Sequence, residues 1–204
     1  MMAENSPKRG RPRSFDRQQA LASALAVFWD KGYDQTTMHI LSEAMGIGSP
    51  SIYCAFGNKC QLFLEALAFY RRTWWQPVFE RFLANPDIYA AVEQLFAETP
   101  RILLSPDAPC GCITVLTATL FPAGEAEIAE AVNRQRDETR SIFRKRLMLA
   151  IAARQLPADC NLPALAGALV NFFEGLTLQA RGDICQSELL EIARLGVRLL
   201  PPRQ

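Results

Sequence analysis

Apolar residues recur every three or four positions along most of the chain, which is the spacing of one face of an α-helix. The first such segment spans residues 15–31, and Gly32 is expected to end it. Residues 161–180 contain Glu174 as their only charged residue, so one buried face cannot account for all their apolar positions. The pattern predicts an all-α protein in which nearly every segment is helical.

Two short helices with a tight connection are predicted between residues 36 and 57. Thr37 is a favourable N-cap for a helix Met38–Met45, and Gly46 can adopt the left-handed conformation that ends it. Ser49 is expected to cap a second short helix with Pro50 in its first position. Two helices joined by three or four residues including a glycine are typical of a DNA-binding helix-turn-helix.

A basic arm precedes these helices at residues 8–13, Lys-Arg-Gly-Arg-Pro-Arg. Glycine and proline keep it from forming a helix, and an extended basic segment fits the narrow, strongly negative minor groove of A·T-rich DNA. Standing alone, such a segment would be better explained as a solvated basic tail. Next to a helix-turn-helix, minor-groove contact by Arg9, Arg11 and Arg13 is the better interpretation.

The run from Gly10 to about Leu67 resembles the TetR family of bacterial one-component transcriptional regulators. The resemblance rests on the arm GRPR and on the segments AVFWDKGYDQTT and AMGIGSPSIYCAFGNK. It implies an N-terminal three-helix DNA-binding domain and a C-terminal helical domain for ligand binding and dimerisation. We expect the arm at residues 1–13, the helix-turn-helix domain at 14–59 and the C-terminal domain at 60–204, linked by a fourth helix that begins at residue 58.

The DNA contacts are expected from residues that point away from the core. Ile52 and Phe56, four residues apart, should face inward, which leaves the rest of their helix outward. Lys59 starts a helix, where a cation opposes the helix dipole unless a phosphate is bound there, and the resemblance implies a backbone contact. The full set of predicted DNA-binding residues is Arg9, Arg11, Arg13, Thr37, His39, Ser49, Pro50, Ser51, Tyr53, Cys54 and Lys59.

The later helices are expected to hold an effector and a partner subunit. Apolar and aromatic side chains that could line a pocket are Trp74, Trp75, Phe79, Cys112, Leu116, Phe121, Phe143, Phe172 and Phe173. The last two helices have two apolar faces each, which predicts an intersubunit four-helix bundle. Its predicted residues are Leu165, Leu169, Leu189, Ile192, Gly196 and Leu199.

These observations predict a ligand-responsive regulator: a homodimeric repressor that a small apolar or amphipathic effector releases from a palindromic operator. An alternative is a thiol- or Cu(I)-responsive regulator acting through Cys110 and Cys112, since thiolates suit soft metal ions. A single histidine and the lack of a glycine-rich phosphate loop argue against an enzyme. No cofactor and no bound metal is expected.

Composition adds the expected cellular location. The chain has 204 residues, half of them hydrophobic, with 22 basic and 21 acidic side chains. Its first residues lack the apolar core of a secretory signal, and no uninterrupted apolar stretch reaches the roughly 18–20 residues of a membrane span. We therefore expect a soluble cytoplasmic protein whose six cysteines are reduced.

Overall fold

The computed structural model describes residues 15–105, 112–114 and 126–203. Its elements in chain order are α1 (Arg17–Gln35), α2 (Met38–Met45), α3 (Ser49–Phe56), α4 (Lys59–Tyr70), a π-helical turn (Arg71–Trp75), α5 (Gln76–Ala84), α6 (Ile88–Leu103), α7 (Ala126–Ala152), α8 (Leu162–Gln179), α9 (Gln186–Leu195) and a 3₁₀ turn (Gly196–Leu199). The described residues contain no strand, so the all-α prediction is confirmed. The predicted site residues Arg9, Arg11, Arg13, Cys110, Leu116 and Phe121 lie outside the described residues.

Helices α1 to α4 pack around one aromatic cluster, and we call this unit the head. The Tyr33 ring stacks on Phe28, with ring centres 6.1 Å apart, and meets Phe63 edge-on at 5.3 Å. Leu41 of α2 and Ile52 of α3 are fully buried against this cluster. The short helices are therefore fixed to α1 and α4 by apolar burial.

Local capping sets most of the helix boundaries in the head. Thr37 Oγ1 accepts from the Ile40 N–H at 3.3 Å, and Gly46 has a φ of +66°, so both ends of α2 agree with the prediction. The predicted cap of α3 is wrong, because Gly48 is the N-cap and Ser49 is already helical. Gly32, with a φ of +73°, interrupts α1 but a further helical turn follows it.

The fourth helix leads from the head into the rest of the molecule. Asn58 and Gln61 form a reciprocal capping box at its start, with N···O distances of 2.8 and 3.1 Å. Just before Pro77, the π-helical turn inserts one extra residue into the helix. Pro77 lies in the first turn of α5, where its missing N–H is tolerated.

Helices α5 to α9 form the unit that we call the body, and their buried aromatic residues continue the hydrophobic core of the head. Phe82 lies 5.2 Å from Phe143, and Phe96 lies 5.0 Å from Phe172, measured between ring centres. Arg146 of α7 is buried, and its guanidinium donates to the Asn85 carbonyl at 2.8 Å. No helix in the described ranges is long and apolar enough to cross a membrane.

Candidate nucleic-acid interface and effector cavity

The outer surface of α3 is exposed and carries no charge. Ile52 and Phe56 are buried as predicted, and Tyr53 is 52% exposed. Pro50, Ser51 and Cys54 are also exposed, whereas Ser49 is half-buried. The surface offers a phenol and a hydroxyl for hydrogen bonds and small apolar groups that could contact thymine methyls.

The start of α2 lies beside this surface and adds the only histidine. His39 is largely exposed, and its Nε2 lies 3.6 Å from Glu43 Oε1 one turn later. The Thr37 hydroxyl already accepts a backbone hydrogen bond as the N-cap. His39 is therefore held near the start of α2 with its ring accessible to a ligand such as DNA.

Arg17 is a head residue that the sequence did not single out. One guanidinium nitrogen donates to the Ala55 carbonyl of α3 at 2.8 Å, and another lies 2.6 Å from Glu65 Oε2 of α4. The guanidinium carbon lies 4.3 Å from the centre of the Phe56 ring. A cation is favourable at the carbonyl end of a helix, so Arg17 fixes the C-terminal end of α3 to both neighbours.

Lys59 does not point outward, so its predicted orientation is wrong. Its Nζ donates to the carbonyls of Tyr33 and Thr36 at 3.0 and 3.1 Å and lies 4.1 Å from the centre of the Tyr33 ring. These carbonyls lie at the C-terminal end of α1, where a cation is favoured, whereas the start of α4 disfavours one. The side chain ties the α1–α2 connection to α4, and phosphate contact by the same residue stays a prediction.

The body contains a small, partly open space that we call the inner cavity. It measures about 40 Å³ and lies between the π-helical turn, α7 and α8; its lining residues are Arg71, Trp75, Cys112, Thr114, Gln135, Arg136, Thr139, Phe173 and Glu174. Arg136 makes a two-point contact with Glu174, at 3.1 and 3.0 Å, which raises the pKa of the guanidinium. The sequence predicted apolar walls and missed this pair, because Arg136 belongs to a run of charged residues, and such a run usually forms a solvent-exposed helix face.

A larger depression, the outer groove, opens between α4, α5 and α7. It has a volume of about 600 Å³, an apolar floor that includes Leu64, Leu67, Phe79 and Ile142, and a charged rim. Arg71 lines both spaces: its guanidinium donates to the Gln135 carbonyl at 3.1 Å and pairs with Glu138 at 2.9 Å. Arg71 and Gln135 thus separate the inner cavity from the groove.

The predicted pocket residues divide into cavity walls and core. Trp75, Cys112 and Phe173 line the inner cavity, and Phe79 lines the outer groove. The remaining three described residues line neither space: Phe143 is fully buried core, while Trp74 packs against Phe69 and Phe172 against Phe96. A role for these three residues in effector binding stays a prediction.

The predicted subunit interface also divides. Leu169 and Leu189 are fully buried within the subunit, and a Cβ on Gly196 would clash with the Phe96 ring, so these three face the core. Leu165 and Ile192 are half-buried, and Leu199 is exposed. Other large exposed apolar side chains are Met148, Leu149, Leu178 and Leu195.

The thiols and acidic groups of the described ranges do not form a metal centre. No group of three or more histidine, cysteine, aspartate or glutamate residues lies close enough there to hold a metal ion. Cys54 and Cys185 are exposed, whereas Cys60 and Cys112 are buried.

Known proteins share both the head and the complete helical arrangement. Residues 20–66 match the model of bacterial regulatory proteins of the tetR family. The chain is 29% identical over 194 residues to the HTH-type transcriptional repressor ComR of Escherichia coli strain K12, covering 95% of this chain and 92% of ComR. It is 34% identical to the TetR family regulator CifR, solved as a cysteine mutant with 26-base-pair operator DNA, with a TM-score of 0.88 and coverage of 94% of this chain and all of that one.

The head with its exposed α3, joined by α4 to a helical body, and these similarities together define a helix-turn-helix DNA-binding transcriptional regulator. The chain belongs to the TetR family.

Proposed function

We propose that the protein is a homodimeric repressor that leaves a palindromic operator when a small apolar or amphipathic effector binds in the body. The observation that carries this proposal is the course of α4. Its first residue, Lys59, is bonded to the head, and the π-helical turn at its end lines the inner cavity. One continuous element therefore touches both the DNA-binding unit and a possible effector site.

The chemistry of α3 favours a paired DNA target. The segment has no arginine, lysine, asparagine or glutamine, the side chains that make strong two-point contacts with bases. A head of this kind gains specificity when two copies bind successive major-groove faces, roughly 34–36 Å apart. The operator complex of CifR supports duplex DNA as the ligand.

The surface of α8 and α9 supports a second copy of this chain as the partner. Leu178 and Leu195 are each 49% exposed. Gly167 and Gly175 lie on the same helix as Leu178, and an added Cβ at either would meet no described atom within 4 Å. Small residues beside exposed leucines would let a helix of a second subunit approach closely and bury those leucines.

Effector release follows from differential binding. The outer groove falls within the range of roughly 300–1,000 Å³ typical of small-molecule sites. An inducer must bind the DNA-incompetent state more tightly, and bound operator must then lower effector affinity by the same factor. An effector near Arg71 would act where α4 meets α7.

DNA binding can be tested with duplex fragments from the intergenic region next to this gene. Fluorescence anisotropy should give an affinity that falls steeply with salt, and footprinting should protect an inverted repeat. Protection of a single, non-repeated half-site, or binding no tighter than to random duplex, would contradict the palindromic operator.

A second candidate is a thiol- or Cu(I)-responsive regulator acting through Cys110 and Cys112. The observation in its favour is that the Cys112 thiol lines the inner cavity, beside the π-helical turn that ends α4. The operator complex of CifR, described as a cysteine mutant, shows that thiols have been varied in a relative. Oxidant or Cu(I) should then release DNA from the wild type but not from a Cys110→Ser/Cys112→Ser variant.

A further inference from the structure

Helix α7 runs beside α4 in the same direction and in register with it. Near the head, Cys60 Sγ lies 3.6 Å from Glu127 Oε2, and directly after α4 the Arg71 guanidinium lies 2.9 Å from Glu138 Oε2. Both contacts join residues 67 positions apart in the chain, and the second lies about three helical turns beyond the first. We call this line of contact the α4–α7 seam.

The outer groove lies along this seam, and its walls are the positions at which the two helices face each other. Its lining residues recur at the three- and four-residue spacing of one helix face. On the α4 side they are Leu64, Leu67, Ala68 and Arg71, and on the α7 side Ala131, Arg134, Gln135 and Glu138. Each residue of the second set lies 67 positions after its counterpart in the first. Facing side chains of packed helices normally fill the space between them, whereas this groove has a volume of about 600 Å³ and can admit a further molecule.

The rim of the groove carries more guanidinium than carboxylate groups. Arg71 and Glu138 pair with each other. Arg72 and Arg134 are exposed, and neither forms an ion pair with a carboxylate of the described residues. The other acidic side chain among the described lining residues is Glu80, so three arginines face two glutamates. An excess of one positive charge at the rim favours a ligand that carries a single negative charge.

We propose that the outer groove binds an amphipathic monocarboxylate, whose apolar tail lies on the floor and whose carboxylate is bound by Arg72 and Arg134. The proposal rests on the proposed function, since it specifies the chemistry of an effector for the body. The floor includes Leu64, Leu67 and Phe79, against which an apolar tail loses its contact with water. Guanidinium groups bind carboxylates through charge-assisted hydrogen bonds, which supplies the polar half of the site.

The shape of the groove suits an elongated tail. Its α7 wall extends from Ala131 to Ile142, which is about 16 Å of helix. A ligand along this wall contacts both helices of the α4–α7 seam, so its binding depends on their separation. Because α4 begins at Lys59, which is bonded to the head, a change in that separation reaches the DNA-binding unit.

Three probes with the same eight-carbon tail test the head-group chemistry: octanoate, octan-1-ol and octylammonium. Isothermal titration calorimetry with the DNA-free protein at constant ionic strength gives their dissociation constants. Octanoate should bind about five-fold more tightly than octan-1-ol, the ratio expected of an ion pair at a solvent-exposed rim, and octylammonium should bind most weakly. Decanoate should bind about two- to four-fold more tightly per added methylene than octanoate. Equal or tighter binding of octan-1-ol or octylammonium than of octanoate overturns the proposal.

Matched variants test whether the rim and the groove hold the probe. Arg72→Gln and Arg134→Gln should each weaken octanoate binding about two- to three-fold and leave octan-1-ol unchanged, because each removes one of two cations. Arg144→Gln makes the same change at an exposed position of α7 outside the groove and should leave both probes unchanged. Ala68→Phe, at an exposed position of the groove wall, should fill the groove and abolish binding of both probes at unchanged helix content.

Two results with these variants would overturn the groove as the site. One is octanoate binding that is unchanged in a folded Ala68→Phe protein. The other is an equal loss of octanoate binding in Arg134→Gln and Arg144→Gln, which would assign the effect to the overall charge of α7. The arginine variants decide the question alone if circular dichroism shows that Ala68→Phe is unfolded.

Binding to the DNA-free protein and release of operator are separate measurements. Octanoate bound as described but without effect on operator affinity would support the carboxylate site and contradict its role as the effector site. An effector that releases DNA yet does not compete with octanoate would support the regulator and overturn this groove as its site. Failure of the protein to bind any duplex would overturn the proposed function, while the groove measurements would still support the carboxylate site.

Discussion

At the scale of single residues, two adjacent positions of α3 are expected to have different roles: one side chain contacts DNA and the other stabilises the fold. Tyr53 is half exposed, whereas Ile52 is fully buried. We expect Tyr53→Ala to weaken operator binding about five- to ten-fold, the value of one hydrogen bond, with a change in unfolding free energy of no more than about 0.5 kcal/mol. Anisotropy titrations and chemical denaturation measure the two effects.

Ile52→Ala is the matched control for that prediction. It should lower the free energy of unfolding by about 2–5 kcal/mol because it empties part of the head core. If Tyr53→Ala destabilises the protein as much as Ile52→Ala does, the outward assignment of the phenol is contradicted.

Lys59 is expected to contribute to stability as well as to any DNA contact. Lys59→Met keeps the aliphatic stem but removes both bonds to the carbonyls of Tyr33 and Thr36, so the free energy of unfolding should fall by about 1–3 kcal/mol. Lys31→Met in the same head is the control, since its exposed ammonium pairs with the adjacent Asp30 at 3.5 Å, a contact of the kind that adds little stability. If Lys59→Met, but not Lys31→Met, lowers the salt dependence of operator binding by about one unit of log K per log salt, Lys59 also contacts a phosphate. If the two variants are equally stable, the structural role of Lys59 is contradicted.

Cys185 is expected to be the thiol whose reactivity extends to lower pH. The Ser187 hydroxyl 3.0 Å away and the first backbone N–H groups of α9 lower the pKa of the Cys185 thiol, because each stabilises the thiolate. The pH midpoint of its alkylation by iodoacetamide should lie below that of a cysteine model peptide, and Ser187→Ala should move it upward. A midpoint unaffected by Ser187→Ala would assign the effect to the helix start alone.

At the scale of helices and turns, the sequence predicts helix ends that depend on neighbouring residues, but it does not predict ion pairs between residues far apart in the chain. The ends of α2 and the start of α4 follow from caps within four residues, at Thr37, Gly46 and Asn58. Arg17 pairs with a residue 48 positions away, and Arg136 with one 38 away, so no local pattern reveals either contact. The π-helical turn could not be predicted, because an inserted residue leaves no composition signal in the segment RRTWW.

Two glycines in the last helices are expected to respond oppositely to the same substitution. Gly196→Ala places a Cβ against the rings of Phe96 and Phe172 and should cost about 1–3 kcal/mol through overpacking. Gly175→Ala meets no described atom within 4 Å and should stabilise the isolated subunit by about 0.5–1 kcal/mol, the difference in helix propensity.

Thermal unfolding and sedimentation of both variants distinguish subunit stability from assembly. A Gly175→Ala protein that is more stable as a subunit yet dimerises more weakly would indicate that a partner helix approaches at this position. A loss of subunit stability in Gly175→Ala would contradict the open face of α8.

At the scale of the whole molecule, the sequence shows that α8 has two apolar faces, but it does not show which face packs inside the subunit. Periodicity reports that Leu169 and Leu178 are both apolar; it does not report which face meets α6 and α7. Packing of the complete chain decides this, and it buries Leu169 while it leaves Leu178 exposed. Leu178 and Leu195 are accordingly better positions than Leu169 for a charge that should separate subunits, while Leu165, Ile192 and Leu199 stay predictions.

Leu195→Glu should therefore disrupt the dimer, whereas Leu169→Glu should disrupt the fold of the subunit. A carboxylate at exposed Leu195 should leave the subunit folded and monomeric, while one at buried Leu169 should unfold it, because an unpaired charge in an apolar core is strongly destabilising. Two heads joined in a dimer bind both half-sites with an effective concentration that separate heads lack, so folded Leu195→Glu should lose about a hundred-fold or more in operator affinity. Sedimentation, circular dichroism and anisotropy report the three quantities. A Leu195→Glu protein that remains dimeric and binds operator as the wild type does would exclude this face as the one that sets the spacing of the heads.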